Sequence, residues 1–196
     1  MAATKTYTAE LLVIAALAAA LRGESQYTDQ LQRLPELMAQ ALQLESAAAE
    51  LAQRHAHLER CVVLGRGFHY ATAKEWALKL KELVYVMADP YSTADFQHGP
   101  IALVEPEFPV LAVVSRGPLY AGTLALLSHL ERDSGAKMLV ISDGDEALAL
   151  GSAPSGAHGG LRIPPAIPEW LSPLIAIAPA QLFCYQLARA KGYDPD

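Results

Sequence analysis

With 196 residues, 52% of them hydrophobic, the chain can bury a substantial core as one domain without help from disulfides or metals. A formal charge of −6 and a pI near 5.5 argue against nucleic acid as a general partner, while leaving room for local binding of a phosphate. A mean hydropathy of +0.18 is high for a freely exposed monomer and points to a sizeable partner surface.

In chain order, residues 8–21 read as a helix, with Thr8 as its N-cap and Gly23 as its stop. The apolar part, 11–21, is too short to span a bilayer and is preceded by Glu10. The segment 20–23 is a poor cleavage site, so neither membrane insertion nor export is expected. Residues 26–57 form a second helical region broken near Pro35, with Leu31, Leu34, Leu37, Leu42, Leu44 and Leu51 at helical spacing. Cys61-Val62-Val63-Leu64 is a continuous apolar run, the pattern of a parallel strand covered on both faces. A glycine turn and a helix over 70–83 follow, and 84–87 reads as a second strand.

Further buried strands are expected at 109–115 and 137–142, with a helix over 120–130 between them and a turn at Asp143-Gly144-Asp145. Residues 151–160, rich in Gly, Ala, Ser and Pro, read as a surface loop. Residues 161–163 read as a short edge strand and 170–191 as a long apolar helix with an irregularity at Pro179. Alternating strands and helices predict an α/β fold of three αβα layers around a parallel sheet of about five strands, with ligands at the strand C-terminal ends. The division is N-terminal helices over 1–58 and the α/β domain over 59–196. Cys61 and Cys184 both fall in apolar runs, which reads as two reduced core thiols and a cytoplasmic setting.

The chemistry concentrates in Gly65-Arg66-Gly67 and the helix after it. On a helical wheel Glu75, Lys79 and Glu82 lie within roughly 60° of one another, with Ala73, Ala77, Leu80 and Val84 on the opposite side. Taken alone, this is an exposed face with an i,i+4 ion pair contributing about 0.2–0.5 kcal/mol. Its position after a glycine turn at the end of a buried strand makes it a candidate site, since the helix start offers free N–H groups to an anion. A lone Gly-x-Gly is weak evidence, and the third glycine of a dinucleotide fingerprint is missing. His98 sits in Asp95-Phe96-Gln97-His98-Gly99-Pro100, a turn that would hold it as a general acid or base before a helix at 101–104. His69, at the mouth of the glycine turn, is the runner-up, while His55, His57, His129 and His158 read as solvated. There is no His-Glu-x-x-His, Cys-x-x-Cys, Gly-x-Ser-x-Gly or Walker loop, so no metal or cofactor is expected.

Three segments resemble the sugar isomerase (SIS) family: residues 65–82, the histidine loop 94–100, and Ala2-Ala3-Thr4-Lys5-Thr6-Tyr7-Thr8, with 191–196 similar to its closing segment. The resemblance covers essentially the whole chain. It is closest to the second SIS half of the aminotransferase–isomerases of aminosugar phosphates and to related isomerases and deaminases. It implies that Glu82 shuttles a proton between sugar C1 and C2, that Lys79 assists at the sugar hydroxyls, and that Glu75 lies in the same site. It implies too that His98 opens the sugar ring, arriving from the neighbouring subunit of a homodimer. Gly65, Arg66, Gly67 and Thr72 would line the substrate, and Ala3 stands where the family has a substrate-contacting serine.

Two departures weigh against turnover by this chain alone. The family's Ser-x-Ser-Gly-x-Thr phosphate loop is missing, the nearest strand-end loop being Ser115-Arg116-Gly117-Pro118, and the tail lysine lies beyond residue 196. The sequence therefore reads as half of a tandem enzyme. One reading is aldose–ketose isomerisation of a hexose or aminohexose phosphate, with deamination or amination. The other is a phosphosugar-binding regulatory module without turnover.

Overall fold

The continuous apolar runs are the sheet. In the computed structural model, which describes residues 3–150, 159–165 and 167–195, its strands are β1 (Arg60–Gly65), β2 (Met87–Ser92), β3 (Pro109–Val114), β4 (Lys137–Ser142) and β5 (Gly159–Arg162). They pair in the order β2-β1-β3-β4-β5, all parallel. Because side chains alternate along a strand, neighbouring residues serve different layers. Cys61 and Val63 face one hydrophobic core together with Leu111 and Ile141, whereas Val62 and Leu64 face the other with Val110 and Val140.

The helices are α1 (Thr4–Arg22), α2 (Ser25–Gln32), α3 (Leu34–Leu42), α4 (Glu45–Arg54), α5 (His69–Val84), α6 (Thr93–Phe96), α7 (Tyr120–Ser134), α8 (Asp145–Leu150) and α9 (Ser172–Ala190), with 3₁₀ turns at Pro100–Leu103 and Glu169–Leu171. The first core takes residues from α3, α4, α5 and α9, and the second from α6, α7 and α8, giving the expected three layers. Residues 58 and 59 fall between α4 and β1. Cys61 and Cys184 are both buried thiols, and burial pushes both upward in pKa.

Four sequence expectations are corrected in detail. The second strand is 87–92 rather than 84–87: α5 continues to Val84 and is closed by Tyr85 in the left-handed conformation. The sequence disguised β2 with Asp89 and Pro90, which an edge strand tolerates because one side of its ladder is free. Thr8 is not an N-cap, since α1 begins at Thr4 and the Thr8 hydroxyl donates back to the Lys5 carbonyl at 3.0 Å. The region 26–57 restarts near Pro35 as expected, after a turn at Arg33, but breaks a second time at Gln43 and Leu44, giving three short helices. Gly159 and Gly160 belong to β5, and the rest of the proposed loop, 151–158 with His158, lies outside the described residues. Gly23 closes α1 in the left-handed conformation as expected, at φ 70°.

Trp76 locks α5 to α9: it is fully buried and meets the Phe183 ring edge-on, centroids 6.1 Å apart. Trp76→Ala should lower unfolding free energy by about 3–5 kcal/mol through the cavity it leaves. Urea denaturation followed by circular dichroism measures this, and a loss under about 1 kcal/mol would mean the two helices are not coupled through the indole.

Candidate active site

α5 is buried on two sides. Its Ala73, Ala77, Leu80 and Val84 pack toward the sheet, as the helical wheel implied, and Trp76 is buried beside them against Phe183 of α9. The opposite, charged face is also largely buried, which corrects the expectation of an exposed face. The Lys79 side chain is 2% exposed, that of Glu75 9%, and only that of Glu82 reaches solvent, at 39%. What covers them is α1 and α9. Tyr7 and Glu10 lie close enough to Glu75 to interact with it electrostatically, as does Cys184. The Gln181 amide donates to the Thr4 carbonyl at 3.4 Å and ties the start of α1 to α9.

Within this layer Lys79 Nζ donates to Glu82 Oε2 at 2.8 Å and stands 3.2 Å from Glu75 Oε1. Burial pulls the lysine pKa down, but its two carboxylates outweigh that effect, so the ammonium is held above its ordinary value and stays charged. Burial pushes the Glu75 carboxyl up, opposed by Lys79. The Tyr7 hydroxyl is buried against Thr72, and burial pushes its phenol up to about 12. The result is a carboxylate–ammonium–carboxylate row whose outer end, Glu82, is the member open to a ligand.

The structure joins Glu75 and Glu82 through Lys79, and Tyr7 of α1 lies against Thr72 and Glu75, while Thr72 itself stands about 15 Å along α5 from Glu82. α1 runs antiparallel to α5: Tyr7 lies against Thr72 and Glu75, while Ile14 and Ala18 share a cleft with Gly67 and Phe68. It does not bring the glycine turn to this group. Gly65, Arg66 and Gly67 precede α5, so Glu82 is about 20 Å away along the helix. Gly65 is required where it is, because a Cβ there would stand 2.2 Å from the His69 carbonyl oxygen, and Gly67 adopts φ 58°. Nor does one chain bring His98 to Glu82. His98 is exposed in the segment after β2, whose Phe96, Ile101 and Val104 pack in the second core, on the opposite face of the sheet from α5.

His69 is not at an open mouth but buried under the turn. Its Nε2 is 2.7 Å from Ser115 Oγ and 3.1 Å from Ser172 Oγ. The Ser172 hydroxyl already donates to the Glu169 carbonyl at 2.7 Å, so it accepts from the ring, which assigns the proton to Nε2. His69 thus ties the tips of β1 and β3 to the start of α9, a role one sequence window could not show because its partners are 46 and 103 residues away. Among the histidines read as solvated, His55 is instead half-buried, its ring edge-on to Phe183. Among the described residues no group of three or more His, Cys, Asp or Glu could hold a metal.

The SIS domain pattern matches residues 54–190. The chain belongs to the SIS domain family. It is 38% identical, over its full length, to the glutamine–fructose-6-phosphate aminotransferase (isomerizing) of Methanothermobacter thermautotrophicus and spans 32% of that protein. Among solved structures it resembles the C-terminal domain of glucosamine-fructose-6-phosphate aminotransferase from Francisella tularensis, at 31% identity and TM-score 0.76, with 87% of this chain and 46% of that one covered. It also resembles tagatose-6-phosphate ketose/aldose isomerase from Escherichia coli, at 26% identity and TM-score 0.66, with 87% and 45% covered. This SIS chain thus spans about a third of the curated relatives it matches, as one half of a tandem-SIS protein would.

Two measurements test the site. Lys79→Met should destabilise the fold by about 3–5 kcal/mol, because it leaves Glu75 buried and unpaired, and adding Glu75→Gln should recover most of the loss. Equal urea midpoints for the single and double variants would contradict the pairing. Separately, burial lowers the His69 pKa from 6.5 to about 4, so the fold favours the neutral ring. That stability is fully present above 6.5 and is lost as pH falls toward about 4. His69→Gln should therefore flatten the fall of Tm over that interval, as thermal scans at several pH values would reveal.

Proposed function

We propose that this chain carries the proton-transfer half of a phosphosugar isomerase site, acting on a hexose or aminohexose phosphate. The single observation behind the reading is the Glu82 carboxylate, held through Oε2 by the buried Lys79 ammonium and 39% exposed to solvent. A carboxylate so fixed can take the proton from C1 of a ketose, give the enediol, and return the proton to C2, giving the aldose. Lys79, kept charged, orients the base and favours the negative charge that develops on the sugar oxygens. Glu75 and Thr72 support the lysine, and the backbone at Ala3 borders the substrate. Enolisation needs side-chain acid–base groups alone, so no cofactor is invoked. Where ammonia first condenses on the C2 carbonyl with loss of water, the same proton transfer turns the imine into the 2-amino aldose phosphate, and its reverse followed by hydrolysis of the imine releases ammonia.

His98 is the ring-opening acid–base group, and because it lies on the other face of the sheet it comes from a second copy. A seat for that copy is the exposed pair Tyr85 and Met87, 74% and 78% exposed, which follows Glu82 at the end of α5. Gly65, Arg66 and Gly67, about 20 Å along α5 from Glu82, are assigned to a separate part of the substrate surface. The chain works in the cytoplasm as a homodimer or larger assembly, with helices 1–58 as its docking portion and 59–196 as the SIS domain. A phosphosugar-binding module without turnover is the second reading, favoured by Ser115-Arg116-Gly117-Pro118 standing where a phosphate loop would be needed.

The test is a coupled assay with fructose 6-phosphate and glucosamine 6-phosphate. Glu82→Gln and His98→Asn should each lower turnover about 10²–10⁴-fold. Mixing the two dead variants should restore about a quarter of wild-type activity, because half of randomly paired dimers hold one intact site out of two. Calorimetric binding with no turnover by the wild type would establish the module instead.

A further inference from the structure

A sugar phosphate needs a cationic partner for its phosphate as well as a base for its carbon, and most cations around the ion row are already committed. Lys79 serves Glu75 and Glu82, Lys81 stands 4.0 Å from Asp89, and Lys191 donates to the Leu58 carbonyl at 2.5 Å. Arg189, near the end of α9, is different. It is exposed, has no carboxylate partner among the described residues, and lies with its guanidinium 5.9 Å from the centre of the Tyr185 ring one turn earlier. A ring contact steadies a guanidinium without neutralising it, and its forked N–H groups suit bidentate donation to an oxyanion.

The position of Arg189 relative to Glu82 follows from how α5 and α9 run. Both helices start at the strand tips, where His69 meets Ser172, and they lie side by side in the same direction. Lys79 is level with Cys184, close enough for the two to interact electrostatically. Further on, the Tyr85 ring meets that of Tyr193, whose N–H bonds the Ala188 carbonyl at 2.9 Å. Glu82, between Lys79 and Tyr85, is therefore level with the turn from Tyr185 to Arg189. Gln181, Tyr185 and Arg189 recur every four residues and form one stripe of α9. The start of α1 sits on that stripe at Gln181, whose amide holds the Thr4 carbonyl, while Tyr185 and Arg189 are exposed beside the solvent-reaching Glu82. Neighbouring helices stand about 8–10 Å apart, a gap of the order of one open-chain hexose phosphate.

We propose that Arg189 receives the phosphate of the sugar whose C1 and C2 lie at Glu82, with Tyr185 holding the guanidinium in place. The ligand class is a hexose or aminohexose phosphorylated at the end of the chain far from the carbonyl, laid across the open end of the groove between α5 and α9. The inference rests on the Glu82 reading and adds the phosphate partner that Ser115-Arg116-Gly117-Pro118 does not supply. It also keeps the phosphate a sugar's length from the Glu82 carboxylate, so the two negative groups do not meet.

Calorimetric binding of fructose 6-phosphate and of inorganic phosphate, beside the coupled assay, tests this. Arg189→Gln should weaken fructose 6-phosphate binding and raise KM about 10–100-fold, with kcat changed less than about threefold, because a contact made equally before and during the reaction is lost. Inorganic phosphate should compete with the sugar in the wild type and no longer in the variant. Lys74→Gln, which removes an exposed cation lying over the Tyr70 ring, should bind as the wild type does. Undiminished affinity in Arg189→Gln, equal weakening by Lys74→Gln, or a wild type that binds no sugar phosphate would each overturn the proposal. Failure of the Glu82 reading shows separately, as full turnover by Glu82→Gln or binding without turnover by the wild type. In either case the calorimetric comparison of Arg189→Gln with the wild type still decides where the phosphate is held.

Discussion

A lysine ammonium closed inside the protein governs this structure. Removing such an ion from water costs several kcal/mol, and only close carboxylates offset it. Lys79 has two, Glu75 behind it and Glu82 in front, at successive turns of one helix. The arrangement fixes how α5 can sit. Its hydrophobic side is committed to the sheet and its charged side to the lid made by α1 and α9, so rotating the helix would strand either a tryptophan in water or an ion in the core. The one carboxylate of the row that reaches solvent, Glu82, is hydrogen-bonded to that buried cation.

That helix also distributes the rest of the molecule. Its start is held by the glycine turn and by His69, whose ring joins three separate chain segments beneath the tips of β1 and β3. Its end carries Glu82 at the opposite edge of the sheet, where β2 begins. The sheet itself stands between Glu82 and the segment bearing His98. Within one chain the two groups therefore stand apart, Glu82 on the α5 side and the His98 segment against the second core.

Much of this was legible in the sequence. β1, β3 and β4 are apolar without interruption because both of their faces are covered, and the sequence pattern located all three within a residue or two. β2 was misplaced because an edge strand can carry Asp89 and Pro90, so its composition resembles a loop. The alternation of elements and the SIS resemblance gave the architecture and the charged helix. The burial of that helix's charged face was not legible. A helical wheel gives the direction of each side chain relative to its neighbours, but what lies over it is decided elsewhere in the chain, here by Tyr7 and α9. His69 was hidden for the same reason: its two partners are serines, unremarkable in any local window.

The two longest helices put the limit most sharply. α1 and the Glu169–Ala190 segment are alike by composition, both apolar enough over their length to cross a bilayer, yet 83% of one is buried in the fold and 11% of the other. Hydropathy therefore measures how much apolar surface a helix has to hide and is silent about what hides it. For α9 the answer is the sheet and helices α1, α3, α4 and α5 of its own chain. For α1 the chain supplies cover only for the narrow strip that includes Ala15 and Ala19, and leaves a ridge of leucine, valine and isoleucine facing outward. The high mean hydropathy thus has a definite location. The helix that seals Glu75 and Lys79 on its inner side is the one left open on its outer side, so whatever covers α1 also secures the lid over the ion row.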